Sequence, residues 1–319
     1  MSKPVLVTGA SGFVGRRLTD ALRASGRDVR AAYRSPRPAT PGVHSVQVGG
    51  LGPDTDWTEA LQGVDSVVHL AARVHVMNDK VLDPLAEFRR VNVEGTLTLA
   101  RQATAAGVRR FVFVSSIKVN GESTLPGKPF TADDTPAPLD GYGISKYEAE
   151  TGLLALARNA GMEVVIIRPV LVYGPGVGAN FLSMMRWLKK GVPLPLGAIR
   201  NRRSMVALDN LVDLIAVCLD HPAASGQVFL ASDGEDLSTP DLLRRTANAL
   251  GKRAFLVPVP AIFLKVGAGL IGKGDVAQRL CGSLQADISK NKALLGWTPP
   301  VSVDAGLAIA ASDLRDRSD

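Results

Sequence analysis

Short apolar runs alternate with amphipathic stretches through the first half of the chain. The runs at residues 5–8, 29–33, 43–48, 66–70, 111–115 and 163–168 are rich in Val, Ile, Phe and Ala and predict strands. Phe111-Val112-Phe113-Val114 has no polar alternation, which suits a strand buried on both faces of a parallel sheet. Helical spacing of apolar positions marks residues 15–25, 57–62, 84–106 and 142–159, and Gly26, Gly107 and Gly161 stand at the expected stops. This βα repetition predicts a doubly wound parallel α/β sheet.

The pattern changes at Tyr173-Gly174-Pro175-Gly176, a polar turn. Beyond it we read a helix over 180–190, a Pro-rich stretch over 192–196 and a helical C-terminal half. The helix at 211–219 and the strand at 227–231 still carry the pattern of the first part. The expected division is therefore residues 1–176 plus about 204–232 for the main α/β domain. Residues 177–203 and 233–319 form a smaller, discontinuous, mostly helical domain. The longest apolar stretch, 256–271, is broken by Pro258, Pro260 and Lys265 and falls short of the roughly 20 residues of a spanning helix. It reads as a helix in the core, with contact to a membrane surface as the other reading.

The 319 residues suffice for one large domain or two modest ones, and 46% hydrophobic with 21% charged residues excludes a disordered chain. Cys218 and Cys281 lie in no disulfide framework or metal-spaced cluster. With no export signal at the N-terminus, they suggest a cytoplasmic protein without structural metal. The net charge of +7 favours anionic ligands. Nucleic acid is not expected, because no aromatic platform or clustered basic run is present.

The strand 5–8 leads into Gly9-Ala10-Ser11-Gly12-Phe13-Val14-Gly15 and then a helix. Glycines at this spacing let backbone N–H groups close on a pyrophosphate at the helix N-terminus, the chemistry of a Rossmann dinucleotide site. The second strand ends Tyr33-Arg34-Ser35, without the acidic residue that accepts from a ribose 2′-OH. A guanidinium and a hydroxyl suit a 2′-phosphate, so NADP(H) is the favoured cofactor and NAD(H) the other. Arg34 stacking on adenine or facing water is the alternative use of that side chain.

Tyr142 and Lys146 stand at i and i+4 of a helix, on one face. An ammonium there is expected to lower the phenol's pKa, as a general acid or base for a sugar hydroxyl requires, while a solvated helix face is the other reading of this spacing taken alone. Ser115-Ser116 follows the strand ending at Val114, where strand carboxyl ends open onto a ligand crevice.

The motifs TGASGFVG (8–15), HLAA (69–72), VNVEGT (91–96), VSSIKVNG (114–121), YGISK (142–146), RPVLVYGPG (168–176) and LGW (295–297) together resemble the extended short-chain dehydrogenase/reductases. More narrowly, they resemble the NAD-dependent epimerase/dehydratase branch that acts on nucleotide sugars. The resemblance implies that Ser116, Tyr142 and Lys146 are catalytic: Tyr142 exchanges the proton at O4, Ser116 orients that oxygen, and Lys146 holds the nicotinamide ribose. It implies that Phe13, Val14, Leu51, Leu70, Ala71, Ala72, Asn92, Val114 and Pro169 line the cofactor. In the substrate-binding domain it places Asn180, Phe181 and Arg203, and more loosely Arg279, on a UDP-linked sugar. His69 is expected to be structural, and His75 to contact the sugar.

Departures from the branch sharpen this. Ile117 and Lys118 stand where its dehydratases carry an Asp-Glu pair, so dehydration is not expected. The third strand leads to Gly49-Gly50-Leu51 where many members have an adenine-binding Asp, and Gly141 and Val170 replace commoner prolines. The expected activity is 4-keto reduction of a UDP-6-deoxy-N-acetylhexosamine in surface polysaccharide synthesis. UDP-hexose 4-epimerisation with tightly held NAD is the alternative, and a non-enzymatic NADP sensor the third reading. Pairing of helices 84–106 and 142–159 into a homodimer is what the family suggests.

Overall fold

The computed structural model describes residues 4–36, 41–74, 83–270 and 274–316. The chain opens with β1 (Val5–Thr8), α1 (Phe13–Ala24), β2 (Val29–Tyr33), β3 (Val43–Gln47), α2 (Thr58–Leu61) and β4 (Ser66–His69). It continues through α3 (Pro84–Phe88), α4 (Gly95–Ala105), β5 (Arg110–Val114), α5 (Gly141–Ala160) and β6 (Glu163–Pro169). The seventh strand of the main sheet comes later. After β7 (Leu171–Tyr173), α6 (Ala179–Lys189), β8 (Arg203–Ala207) and α7 (Leu208–Asp220), the chain returns as β9 (Val228–Ala231).

The strand order is β3-β2-β1-β4-β5-β6-β9 and every neighbouring pair is parallel, the Rossmann arrangement. Alternate side chains of each strand feed two cores. Val5, Val7, Val68, Val112 and Val165 face α1 and α7 through Leu18, Leu22, Leu211 and Leu214. Leu6, Val67, Phe111 and Val164 face Trp57, Leu99 and Leu153. Burial on both faces explains why these strands read as continuous apolar runs.

The order reverses between β1 and β4, so their carboxyl ends flank the crevice in which such sheets bind ligands. Across it the chains nearly touch: a Cβ on Gly9 would fall 2.8 Å from the Ala71 nitrogen.

Three features differ from the sequence reading. The helix expected over 84–106 is α3 and α4 joined by a π-helical segment, Arg89–Glu94, which carries Asn92. A second sheet, ordered β10-β8-β7 with β10 at Asp236–Leu237, joins strands from both expected regions. A third core lies beneath it, where Tyr173, Phe181, Leu188 and Leu237 meet α8 (Thr239–Ala249). The third difference is in the stretch 256–271, whose two prolines delay the helix. α9 runs Ala261–Leu270 and packs on α10 (Gly274–Cys281). Its Ile262, Phe263 and Val266 side chains are exposed, so α9 is not the core element expected. Helices α11 (Ser289–Leu295) and α12 (Val303–Asp316) end the chain; Leu295 joins the first core, and Leu307 and Leu314 of α12 the third.

Candidate active site

Gly9 adopts φ +66°, where an L side chain is strained, and the Gly12 N–H closes the turn on the Gly9 carbonyl at 2.9 Å. A Cβ on Gly15 would fall 2.1 Å from that same carbonyl oxygen, so only glycine lets α1 start this close to β1. Gly12 caps α1 without a side-chain hydrogen bond, and the first turn holds no acidic residue. The helix dipole and the N–H groups of its first turn are thus left for an anion, and the cradle fits a dinucleotide pyrophosphate. Ser11 is half-buried at the turn, and Phe13 and Val14 pack against the first core.

Thr8 and His69, the last residues of β1 and β4, tie the two strand ends together. The Thr8 hydroxyl accepts from the N–H groups of Leu70 and Ala71, both at 3.2 Å. Its own proton therefore goes to His69 Nδ1, 2.7 Å away. His69 Nε2 then carries the hydrogen donated to Thr96 Oγ1 at 3.0 Å. Burial, helped by the Lys146 charge, pushes this imidazole down to about 3. His69 is a neutral strut that shapes the Leu70-Ala71-Ala72 wall.

At the far side of the crevice Tyr33 packs on the first core, while Arg34 and Ser35 are exposed just past β2. Leu51 lies over the start of α4, where a Cβ on Gly95 would come within 2.9 Å of its Cγ. Asn92, 1% exposed, accepts from the Arg73 N–H at 2.8 Å and donates to the Arg73 carbonyl and to Ser145 Oγ, both at 3.0 Å. The π-helical segment thereby fastens the chain after β4 to α5.

The proposed proton-transfer residues come from the turn after β5 and from the first two turns of α5. Ser116 follows β5 and opens a 3₁₀ turn, Ile117–Val119, its Oγ accepting from the Lys118 N–H at 3.2 Å. Asp140 caps α5 by accepting from the Gly143 N–H at 2.7 Å, which sets Tyr142 in the first turn. Lys118 pairs with this same Asp140 and with Glu122. Tyr142 meets the Phe88 ring edge-on at 6.1 Å. Lys146 Nζ donates to the Val114 carbonyl at 3.0 Å, 4.4 Å from the centre of the Phe113 ring and 5.9 Å from that of Tyr142.

The electrostatics run against the sequence expectation for the phenol. Burial and the Asp140 carboxylate push Tyr142 up to about 12. Burial also brings Lys146 down to about 7, opposed by Glu150, so its charge is itself weakened and does not lower the phenol.

Sequence reasoning missed the frame behind these residues. Arg168 of β6, 3% exposed, holds Glu150 of α5 through Nε and Nη2, the shortest contact 2.6 Å, and donates to Asn120 Oδ1 at 3.0 Å. Asn120 in turn donates to the Thr131 carbonyl at 2.9 Å. The available signal was spacing: Glu150 stands at i+4 from Lys146 and i+8 from Tyr142, on the same helix face. Pro169 follows Arg168 at the end of β6, half-buried.

On the substrate side the expectations divide. Asn180 is exposed in the first turn of α6. The Phe181 side chain instead stacks on Tyr173 at 5.6 Å inside the third core, so only its backbone is left for a ligand. Arg203 begins β8 and donates to the Gly282 carbonyl at 3.2 Å, which places it beside the end of α10, the helix that contains Arg279. His75 lies outside the described residues.

Comparison with known proteins matches residues 5–231 to the NAD dependent epimerase/dehydratase family. A Vibrio cholerae UDP-glucose 4-epimerase is 51% identical over 308 residues, 96% of this chain and 94% of that protein. An Escherichia coli O157:H7 protein, N-acetyl-alpha-D-glucosaminyl-diphospho-ditrans,octacis-undecaprenol 4-epimerase, is 30% identical over 291 residues, 90% of this chain and 83% of that one. Among solved structures, MoeE5 in complex with UDP-glucuronic acid and NAD superposes with a TM-score of 0.78 at 28% identity, covering 98% of this chain and 99% of that one. The glycine cradle at the β1–β4 reversal, the tyrosine and lysine on α5 and a match across most of the chain make this protein a member of the NAD-dependent epimerase/dehydratase family of extended short-chain dehydrogenase/reductases.

Proposed function

We propose that this enzyme is a UDP-hexose 4-epimerase, the activity set second to 4-keto reduction on sequence alone. The observation that carries the reading is the 51% identity to the Vibrio cholerae UDP-glucose 4-epimerase across 96% of the chain. Ser116, Tyr142 and Lys146 then have the following roles. Tyr142 Oη removes the proton from the sugar O4 and returns it, while Ser116 Oγ hydrogen-bonds the same oxygen and fixes its direction. Lys146, anchored on Val114, holds the ribose hydroxyls next to the nicotinamide. A nicotinamide dinucleotide, when bound, supplies a site that takes a hydride from C4 and gives it back. The turn from Gly9 to Gly15 holds its pyrophosphate, Leu70, Ala71, Ala72, Asn92 and Pro169 line it, and Arg34 and Ser35 face the adenine ribose. Asn180, the Phe181 backbone and Arg203 hold the nucleotide of the substrate, with Arg279 and His75 as further contacts. The dimer contact is through α3–α4 and α5.

One observation favours a second reading, 4-keto reduction. β2 ends in exposed Arg34 and Ser35 with no carboxylate, which suits the 2′-phosphate of NADPH, the cofactor of a net reduction. A single assay separates the two. Purified protein is given UDP-glucose or UDP-N-acetylglucosamine, and in parallel a UDP-4-keto-6-deoxy-N-acetylhexosamine with NADPH. Interconversion of C4 epimers without net change in nicotinamide absorbance establishes the epimerase. Stoichiometric loss of NADPH absorbance only with the keto sugar replaces it with the reductase.

A further inference from the structure

An apolar and basic face of the second region is left over once the site is accounted for. Leu194 pairs with the 255–257 segment, its N–H donating to the Phe255 carbonyl and its carbonyl accepting from the Val257 N–H, both at 2.8 Å. Leu194 and Leu256 pack on the third core, so Phe255 and Val257, alternating with Leu256, point outward. Trp187, near the end of α6, accepts from the Val192 N–H two residues before Leu194, and α9 begins four residues after Val257. Ile262, Phe263 and Val266 stand on one face of α9, Phe263 with 68% of its surface exposed.

The charge of these segments is one-sided. Residues 177–203 and 251–270 contain nine of the 37 Lys and Arg and none of the 30 Asp and Glu, so the rest of the chain is slightly acidic. Lys189, Lys190, Lys252 and Arg253 are exposed and stand two or three positions along the chain from Trp187 or Phe255. We propose that this face docks on the surface of an anionic phospholipid bilayer. Trp, Phe and Ile side chains enter the headgroup boundary while lysines hold anionic headgroups. Lysine is depleted from protein–protein interfaces, which sets this face apart from a docking site for another protein. The contact is interfacial: α9 is about 15 Å long against a hydrocarbon core of about 30 Å, and no described helix is long and apolar enough to cross a membrane.

Vesicle flotation of the full chain tests this, with phosphatidylcholine vesicles against vesicles containing about one quarter phosphatidylglycerol. The expected result is flotation with the anionic vesicles that weakens at about 1 M salt, where screening shortens to about 3 Å. Trp57 and Trp297 are buried, so a blue shift of fluorescence on binding reports Trp187. Ile262→Ser with Phe263→Ser should abolish flotation, and Lys189→Gln with Lys190→Gln should weaken partitioning about fivefold for each residue. Both variants change exposed side chains and keep the thermal midpoint. Absence of flotation at low salt overturns the proposal, as does flotation that neither variant alters. Self-association of the vesicle-free protein that Phe263→Ser removes, without flotation, also overturns it and assigns the face to a second copy of the chain.

Discussion

Lys146 Nζ donates to the main-chain carbonyl of Val114 at 3.0 Å, so the last residue of β5 fixes the ammonium carried by α5. Two opposed influences set its charge: burial brings it down to about 7, and Glu150 one turn away pulls it back up. Replacing Glu150 by Gln removes the upward pull. Lys146 then loses its proton at lower pH, and the alkaline limb of the kcat/KM profile moves toward acid. A profile that keeps its alkaline limb in Glu150→Gln would detach the protonation of Lys146 from turnover.

The same carboxylate is half of a closed ion pair with Arg168, both side chains less than 5% exposed. Removing one partner leaves the other charge buried without its counterion, which typically costs about 3–5 kcal/mol. Arg168 keeps only Asn120 in Glu150→Ala, so denaturant unfolding should show a loss of this size. Arg168→Met with Glu150→Leu, which removes both charges, should recover most of it.

His69 gives a pH dependence with a definite sign. Its unfolded imidazole takes up a proton near 6.5, whereas the folded one resists until about 3. Between those values the unfolded state binds more protons, so folding stability falls as pH drops below 6.5, by up to about 1.4 kcal/mol per pH unit. His69→Gln cannot take up that proton. The difference in unfolding free energy between wild type and variant should therefore shrink from pH 7 to pH 4. A constant difference would show that His69 is protonated inside the fold.

What the chain reveals before its fold is known depends on how local each cause is. The turn from Gly9 to Gly15, the pairing of Tyr142 with Lys146 and the burial of Phe111 to Val114 are written within a few consecutive residues. β8 is different: it exists because Met205 pairs with Leu171, thirty-four positions earlier, and Arg203 with Leu237. The partner of Arg168 is eighteen residues upstream, so the motif showed the arginine without its role. Apolar periodicity at 256–271 indicated a helix but not what covers it, which is why α9 was expected inside. The upward shift of Tyr142 likewise comes from burial, which the spacing of two residues does not report.

Tyr142 is assigned the proton at the sugar O4, and Tyr142→Phe removes only the hydroxyl while keeping the ring against Phe88. Turnover should fall by about 10²–10⁴, the usual contribution of a positioned acid–base group. Cofactor affinity measured by protein fluorescence should stay within a few-fold of wild type. Equal losses in turnover and cofactor affinity would mean that Tyr142 supports the site rather than the proton transfer.

The proposed contact of Arg34 with a 2′-phosphate rests on the charge of its guanidinium. A guanidinium reading a 2′-phosphate contributes about 1.5 kcal/mol, the low end for hydrogen bonds to charged groups, because Arg34 is exposed. Arg34→Ala should then weaken NADP(H) about tenfold and leave NAD(H) unchanged. Arg34→Asp should go further, placing a carboxylate where a ribose 2′-OH can donate and repelling the phosphate, so that NAD(H) binds more tightly than in wild type. If instead Arg34→Ala weakens both dinucleotides equally, the side chain is stacking on the adenine common to both. The absence of an acid after β2 would then say nothing against a tightly held NAD, which is the cofactor that an epimerase requires.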